Sequence, residues 1–197
     1  MKIRLAGIAF AAAAILAFAG CSSSQPPRFY ALSTAAVPGA LPAAPVAVLV
    51  GPVTIPASVD RPQFVVQAAA NRVEVEEFNR WNSPLNDSVA RVVARDLAIQ
   101  LASPDVAVAP LANFKPSYRV AIDIQRFESI RGQAAIVEAM WTVRSVAKGQ
   151  TKSGRTLARE SVQGDSFSAL AAAHSRALAK LSGDIAAAIR AEAEQPR

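Results

Sequence analysis

The sequence predicts an α/β fold of the α+β type, in which an antiparallel or mixed β-sheet carries two amphipathic helices packed on one face. Two stretches, 84–102 and 167–189, place apolar residues every three or four positions, which is the spacing of one helix face. Around them, six or seven short segments separated by turn residues have the pattern of strands. The strands and helices are expected to form one domain over residues 29–192.

The amino-terminal third is expected to be extended. Eight of the thirteen prolines lie between Pro26 and Pro62, and proline disfavours helix at its own position and at the preceding one. Pro52 indicates an edge or a bulge in the second strand. Val73 and Val75 alternate with charged residues, which predicts a strand with one solvated face. The expected strands are Phe29–Leu32, Val46–Val50 with a kinked continuation, 63–68 and 72–76, with turns at 59–62 and at Ala70-Asn71.

The first helix is expected to begin at Ser83-Pro84 and to end near Ala102. Serine is a preferred N-cap residue, and the missing N–H of proline costs nothing at the first helical position. Asp87 and Arg91 are spaced to pair on the exposed side. The apolar face consists of Leu85, Val89, Val92, Val93, Leu97 and Leu101, and Ser103-Pro104 ends the helix.

The second half of the chain is expected to contain further strands and the second helix. Strands are expected over 106–109, 118–125, 134–147 and 155–162, with Gly132 in a turn and a polar hairpin loop over 148–154. The last helix opens at Gly164-Asp165-Ser166, and residues 193–197 are expected to fray. Its apolar stripe consists of Phe167, Leu170, Ala171, His174, Leu178, Leu181, Ile185 and Ile189.

Residues 1–20 have the pattern of a secretory leader. Lys2 and Arg4 precede an apolar run that ends at Phe18, and small residues follow. The run is too short for a spanning helix, which needs about 20 apolar residues. The only cysteine of the chain, Cys21, comes next, so no disulfide can form within one chain. The string Leu16-Ala17-Phe18-Ala19-Gly20-Cys21 resembles the lipobox of bacterial lipoproteins.

The lipobox resemblance implies a lipid anchor. It implies cleavage between Gly20 and Cys21, an S-diacylglycerol group on the Cys21 sulfur, and N-palmitoyl acylation of the new amino terminus. Lipidation would consume an unpaired thiol, which is a liability in an exported protein. Serine rather than aspartate after the cysteine implies sorting to the outer membrane, with residues 21–28 as a lipidated tether on the periplasmic face. The plain alternative is a secretory signal with an incidental cysteine.

The charge of the chain does not favour nucleic-acid binding. The formal net charge is +6, and two of these charges, on Lys2 and Arg4, belong to the leader. The remaining +4, spread over the 177 residues left after position 20, is not the clustered basic patch that nucleic acid requires. This charge is mildly favourable next to anionic phospholipid.

Several strings of the mature chain resemble the PqiC-type family, the auxiliary lipoproteins of ABC-type intermembrane transport systems. The strings are Phe29-Tyr30-Ala31-Leu32, Val50-Gly51-Pro52-Val53, Val59-Asp60-Arg61-Pro62-Gln63-Phe64-Val65 and Arg80-Trp81-Asn82-Ser83-Pro84-Leu85. The resemblance covers nearly all of the mature chain. It implies a helix-on-sheet fold and an auxiliary transport role.

The resemblance also implies partners. A protein with mammalian-cell-entry (MCE) domains would form the lipid-carrying tube, and this lipoprotein would hold its outer-membrane end and support membrane integrity. On that model the lipoprotein could form a homo-oligomeric ring. The candidate partner or subunit contacts are Asp60, Arg61, Arg80 and Trp81. Their structural alternatives are a turn for Asp60 and Arg61, and a core position for Trp81.

The sequence supports no catalytic residue, no cofactor and no metal site. His174 is the only histidine and cannot supply the three or four ligands of a zinc site, so it is interpreted as a packed or interface imidazole. Glu74 and Glu76 are interpreted as a solvated strand face, and Trp141 as either a core residue or an exposed anchor. The predicted function is that of a non-enzymatic docking lipoprotein. The alternatives are a scaffold for an outer-membrane or cell-wall complex, and a periplasmic lipid-binding carrier with an apolar cavity.

Overall fold

The computed structural model describes residues 25–38, 44 and 46–194. The leader, its cleavage point, Cys21 and the tail from residue 195 lie outside the described residues, so the predictions for them stay predictions. The described residues form one mixed sheet of eight strands with two helices, which confirms the predicted fold class. The strands are β1 (Arg28–Tyr30), β2 (Val48–Thr54), β3 (Gln63–Ala69), β4 (Arg72–Trp81), β5 (Val106–Val108), β6 (Tyr118–Ile130), β7 (Ala134–Ser145) and β8 (Thr151–Ser161). The helices are α1 (Leu85–Leu101) and α2 (Phe167–Ala193).

The sheet forks at β6. On one side β6 pairs along its length with antiparallel β7, which in turn pairs with β8. On the other side, the first half of β6 pairs with parallel β2, where Val48 lies opposite Tyr118. The second half of β6 pairs with parallel β3, where Val66 lies opposite Ser129. Two wings therefore leave the same side of β6. The first wing is β2–β5, and the second, here the β1–β4–β3 wing, continues from β3 through antiparallel β4 to parallel β1.

A bulge in β2 separates its two halves. The pairing of β2 with β6 shifts register between Val50 and Val53, on either side of Pro52. Proline has no N–H to give to the ladder, so it is found at edges and bulges within sheets. The structure confirms the bulge that Pro52 predicts.

Helix α1 begins without the expected serine cap. Pro84 itself occupies the N-cap position, and no side-chain hydrogen bond caps the helix. The Ser83 hydroxyl instead lies 2.8 Å from the Ser88 hydroxyl and accepts a hydrogen bond of 2.9 Å from Arg91. The predicted Ser83 cap is therefore wrong. Arg91 bonds to the two serines and not to Asp87, the partner that the spacing suggested. The carboxyl end agrees with the prediction, because Ala102 closes the helix in a left-handed conformation with φ of 50°.

The core lies between the two helices and one face of the sheet. Helix α1 packs on β2 and β5, whereas α2 packs on β7 and β8, and the two helices contact each other. Ser166 caps α2 by accepting a hydrogen bond of 3.1 Å from the Ala169 amide, as its position before the helix predicts. Burying a Leu, Ile or Phe side chain contributes about 1.5–3 kcal/mol. The largest fully buried side chains are Phe64, Leu85, Leu97, Leu101, Ile124, Leu170, Leu178, Leu181, Ile185, Ile189, His174 and Val48.

Three strands are longer than the sequence predicts. β6 extends to Ile130, β4 extends through Trp81, and β8 begins at Thr151, inside the segment expected to be a loop. The valines of β4 also correct an expectation: Val73 is 62% exposed and Val75 39% exposed, so the face that they form is not buried. They lie opposite Gln67 and Val65 of β3, whereas the core-facing residues of β3, Phe64 and Val66, lie opposite Glu76 and Glu74.

Candidate functional site

Three of the four candidate contact residues line one open groove. The groove has a volume of about 340 Å³, and Asp60, Arg61 and Trp81 lie along it. The turn before β3 is held against the end of β4, because the Trp81 amide donates a hydrogen bond of 2.6 Å to the Pro62 carbonyl. The remaining lining residues are Pro62, Asn82, Ser83, Pro84 and Leu85. The groove is thus built from two of the four strings that carried the family resemblance.

The fourth candidate, Arg80, does not line this groove. Its Nε donates a hydrogen bond of 2.8 Å to the Glu77 carbonyl, and its guanidinium lies 3.8 Å from the Glu77 carboxylate. Both side chains of this pair are partly exposed, and an exposed ion pair of this kind contributes little to stability. Arg80 is available at the surface, but it belongs to a different patch from Asp60 and Arg61.

Trp81 is a core residue whose edge reaches the groove. It is 5% exposed and stacks on Phe64 with 3.9 Å between ring centroids. Phe127 and His174 lie edge-on to the same indole, at 6.1 Å and 6.2 Å. Aromatic pairs of this kind contribute about 0.5–1.5 kcal/mol beyond the burial of their area. The floor of the groove is therefore rigid.

His174 is the buried centre of this aromatic cluster. Its ring lies parallel to Phe127 at 3.9 Å, and its Nε2 lies 2.8 Å from the Ser129 hydroxyl. Burial lowers the pKa of His174 to about 3, because the charged imidazolium has no compensating partner in the core. The imidazole is neutral at ordinary pH and acts as a packing residue, as its sequence context indicated.

A buried carboxylate fastens the amino-terminal segment to α1. Asp96 accepts hydrogen bonds from the Thr34 hydroxyl and, at 3.3 Å each, from the Ala35 and Ala36 amides. Burial raises the pKa of the Asp96 carboxyl, and these three hydrogen bonds act in the opposite direction. The Ser33 amide adds a bond of 3.1 Å to the Ser175 hydroxyl of α2. This set of contacts, here the Asp96 latch, holds the chain directly after β1 against both helices.

Trp141 is a core residue, which decides between its two interpretations. It is 7% exposed, and its Nε1 donates a hydrogen bond of 3.1 Å to the Thr156 hydroxyl. Thr156 in turn donates to the Asp184 carboxylate of α2. The ring lies over Gly154, where a Cβ atom would come within 2.1 Å of Trp141 Cζ2. Gly154 is thus required by the close approach of the indole.

The face of the sheet turned away from the helices has two different surfaces. On β6, β7 and β8 it carries an ion-pair network beside two exposed apolar side chains, Met140 and Leu157. In this network Glu138 bonds to Arg155 at 2.5 Å and lies 3.6 Å from Arg126, which also pairs with Glu128 at 2.8 Å. On the β1–β4–β3 wing it exposes Phe29, Val73, Val75 and Phe78. Between the two surfaces lies an open groove of about 310 Å³ at the fork, lined in part by Val59, Val65 and Val73.

The titratable groups of the described residues do not form a metal site. Nowhere in residues 25–38, 44 and 46–194 do three His, Cys, Asp or Glu side chains come close enough together to hold an ion. Glu74 pairs with Arg72 at 3.3 Å, and Glu76 accepts a hydrogen bond of 3.2 Å from Asn79. Both glutamates are thus engaged by surface partners. Neither of the two described helices has the length and hydrophobicity needed to cross a bilayer.

The sequence matches the family of ABC-type transport auxiliary lipoprotein components over residues 30–186. The chain belongs to this family. The match begins in β1 and ends in α2, so it includes the Asp96 latch, both grooves and the fork of the sheet. The family consists of auxiliary transport components, which agrees with the predicted role at that level of detail. No curated protein sequence matches the chain.

Solved structures share the fold of this auxiliary lipoprotein. Protein XCC0632 from Xanthomonas campestris, of family DUF330, is 20% identical with a TM-score of 0.69, over 85% of this chain and 100% of that one. A structure titled only as an uncharacterized protein is 20% identical with a TM-score of 0.67, over 84% and 99% of the two chains. A PelC dodecamer from Paraburkholderia phytofirmans is 16% identical, with a TM-score of 0.39 over 71% and 89%. At these identities the first two likenesses establish the fold.

Sequence reasoning missed two features of this family member. Asp96 was not singled out, although it interrupts the apolar face of α1 between Val93 and Leu97, and a charged residue on such a face indicates a buried polar contact. The exposed apolar wing was missed because Val73 and Val75 were expected to face the core. The exposed Phe78 next to them marks the same surface.

Proposed function

We propose that this protein is a non-enzymatic outer-membrane lipoprotein that docks an MCE-type lipid-transport tube to the outer membrane. Cys21 would carry the diacylglyceryl and N-palmitoyl groups after cleavage at Gly20. The folded domain would be the adaptor, and its groove at Asp60, Arg61 and Trp81 would be a contact surface. The observation that carries the proposal is the family match over residues 30–186, which follows a string that resembles a lipobox.

The attachment of the chain to its sheet supports a role in tethering. Residue 28, where β1 begins, follows Cys21 by only seven residues, which span about 25 Å at most. The Asp96 latch then fixes the chain directly after β1. A short tether joined to a fixed strand keeps the whole domain close to the bilayer and raises its effective concentration for a partner at that membrane.

The lipid-carrier alternative gains no support from the grooves. A carrier of acyl chains needs an enclosed apolar cavity, whereas the grooves at Trp81 and at the fork are both open to solvent. No observation favours the scaffold alternative over docking. Identification of an outer-membrane or cell-wall complex as the crosslinked partner would establish it.

Replacing Cys21 with alanine tests the anchor. The Cys21→Ala protein is expected to leave the membrane fraction, because it loses at least two acyl chains, each CH₂ of which contributes about 0.8 kcal/mol when buried. The measurement is the distribution of the protein between membrane and soluble fractions after a high-salt wash, with circular dichroism to verify folding. A Ser22→Ala protein is the matched control and should stay bound.

Two outcomes would contradict the anchor. One is a Cys21→Ala protein that stays in the membrane fraction, and the other is an unmodified thiol at Cys21 in the mass spectrum of the wild-type protein. The partnership is tested separately, by crosslinking in intact cells from positions beside Asp60 and Arg61. Recovery of an MCE-domain protein from these positions, and not from the far helix face at Ala187, supports docking.

A further inference from the structure

The β1–β4–β3 wing exposes an apolar face that the docking role does not use. Phe29 and Val73 are each 62% exposed, Phe78 is 42% exposed and Val75 is 39% exposed. These four residues are here called the apolar face. Large exposed apolar side chains that cluster in this way indicate a surface that meets an apolar partner.

The apolar face continues into the tip of the β3–β4 hairpin. Residues 68–72, which include three consecutive alanines, are all exposed, and Val73 follows directly. The tip is thus formed largely by small apolar side chains with one cation, Arg72, which is paired with Glu74 at 3.3 Å. A long cationic side chain beside apolar residues can lay its stem along them and keep its charge in water.

The register of β1 directs the tether toward this tip. β1 is parallel to β4, and Arg28 lies opposite Asn79, an offset of 51 residues. The residues before Arg28 therefore leave the sheet in the direction in which β4 runs back from Asn79 to Arg72. Seven residue steps separate Cys21 from Arg28, and seven separate Arg72 from Asn79. Because its pairing with β3 is irregular, this part of β4 spans at most the length of its β3 partners, Gln63–Ala69, or about 20 Å, and seven residues of tether can reach about 25 Å, which is enough to bring Cys21 level with the hairpin tip.

We propose that the hairpin tip, with Val73 and Val75 of the apolar face beside it, rests in the interfacial region of the bilayer that holds the lipid anchor. The inference rests on the proposed anchor at Cys21 and adds a second, non-covalent membrane contact. The anchor and the tip would enter the same bilayer because the chain leaves β1 toward the tip and seven residues are enough to reach it. The domain then has one orientation at the membrane, with the charged face of β6–β8 left in water for partners.

The opposite end of the sheet provides a matched control position. Val73 follows the β3–β4 turn, and Val146 lies in the turn between β7 and β8, where it is 51% exposed. The two valines lie at opposite ends of β6, because Val66 beside the first hairpin pairs with Ser129 whereas Ser145 pairs with Tyr118. The separation along β6 is eleven residues, or about 36 Å.

The experiment uses the mature lipidated protein in vesicles of phosphatidylethanolamine and phosphatidylglycerol at a ratio of about 3:1. The chain has no other cysteine, so Val73→Cys and Val146→Cys each provide one reactive thiol when Cys21 is acylated. An environment-sensitive dye at position 73 is expected to shift to the blue, and lipids with a quencher in the upper acyl chain should reduce its emission at least twofold. The dye at position 146 should show neither change.

Each result either supports the membrane contact or overturns it. Equal emission from positions 73 and 146 in vesicles overturns it, and so does a blue shift at position 73 that lipid quenchers do not reduce, since that result means that a second protein copy covers the tip. Failure of the anchor is seen separately. In that case two dyes attach per molecule and the protein does not float with the vesicles.

Discussion

His174 is held without charge by its surroundings. Phe127 stacks on the ring, Trp81 meets it edge-on, and Ser129 supplies a hydrogen bond at 2.8 Å. None of these neighbours is anionic, so burial alone determines which protonation state is present. The unfolded chain binds a proton near pH 6.5, whereas the folded protein does so only near pH 3.

As the pH is lowered from about 6.5 to 3, the free energy of unfolding should therefore decrease. In that range the unfolded state binds more protons, and one such group lowers stability by about 1.4 kcal/mol per pH unit at most. The raised pKa of Asp96 has the opposite sign and offsets part of this loss at the acid end. Urea denaturation at several pH values from 7.5 to 4.5 should show that the free energy of unfolding depends less steeply on pH for His174→Phe than for the wild-type protein. The same pH dependence in both proteins would mean that His174 is accessible to protons in the folded state.

Gly154 is expected to tolerate no side chain while Trp141 is present. A Cβ atom at this position would lie 2.1 Å from Cζ2 and 2.5 Å from Cη2 of the indole, so Gly154→Ala must displace the ring and strain its bond to Thr156. We expect a loss of about 1–3 kcal/mol, the usual cost of overpacking. Thermal denaturation measures it, with Ser153→Ala on the exposed side of β8 as control.

The cost should depend on the indole itself. In a Trp141→Phe background the atoms that clash are absent, so Gly154→Ala should cost less than in the wild-type protein. Equal costs in the two backgrounds would show that the backbone of β8, and not the ring, requires glycine.

The sequence identifies the residues of the core better than their partners. The apolar face of α1 and the stripe of α2 are buried as their spacing predicts, because helical periodicity is a local property of the chain. The contact of Asp96 with Thr34 joins distant parts of the chain, and that of Trp141 with Gly154 depends on the register of the β7–β8 hairpin, so no local pattern encodes either one. Ser83 shows the same limit. Serine is a preferred cap residue, but the hydroxyl of Ser83 bonds to Ser88 and Arg91 and not to the helix backbone.

The segment directly after β1 is held in place by one buried carboxylate, that of Asp96. Removing the Thr34 hydroxyl by Thr34→Val should weaken the Asp96 latch by about 1–3 kcal/mol, since it leaves a buried acceptor without its side-chain partner. Hydrogen exchange of the Ala35 and Ala36 amides should become at least tenfold faster, while the core of α2 keeps its protection. Thr54→Val is the matched control, because Thr54 also donates to a carboxylate, Asp123, but at the surface. Unchanged exchange at Ala35 and Ala36 would mean that the latch does not restrain the segment.

The strands lie where the sequence predicts strands, but there are eight and not six or seven, and several differ in length from the prediction. β4 is predicted to end at residue 76, because its alternation fails beyond that point, whereas it extends to Trp81. The cause is an irregularity in the pairing with β3, where Gln63 lies opposite Arg80 and the next residue, Phe64, lies opposite Glu76. Irregular pairing of this kind changes which residues share a face. Val73 and Val75 were placed on the wrong side for another reason: apolar residues that alternate with charged ones were expected to face the core, but in β4 it is Glu74 and Glu76 that lie opposite the core-facing residues of β3.

For the whole molecule, the fork at β6 separates two surfaces with different chemistry. The β6–β8 part carries the network of Arg126, Glu138 and Arg155, and the β1–β4–β3 wing carries the apolar face. Composition alone could not predict this separation, because it depends on which strands pair with β6 and not on the content of any one strand. The family resemblance predicted the overall fold and left the distribution of these surfaces open.

The parallel pairing of β1 with β4 also determines how the protein resists mechanical load. A pull on the chain before β1, directed along the axis of this strand, would shear its hydrogen bonds to β4 together and not open them one after another. Behind β1, Thr34, Ala35 and Ala36 are held by Asp96 and would bear the load next. Tension applied through the amino-terminal end would therefore have to break two successive restraints before it reached the core of the domain.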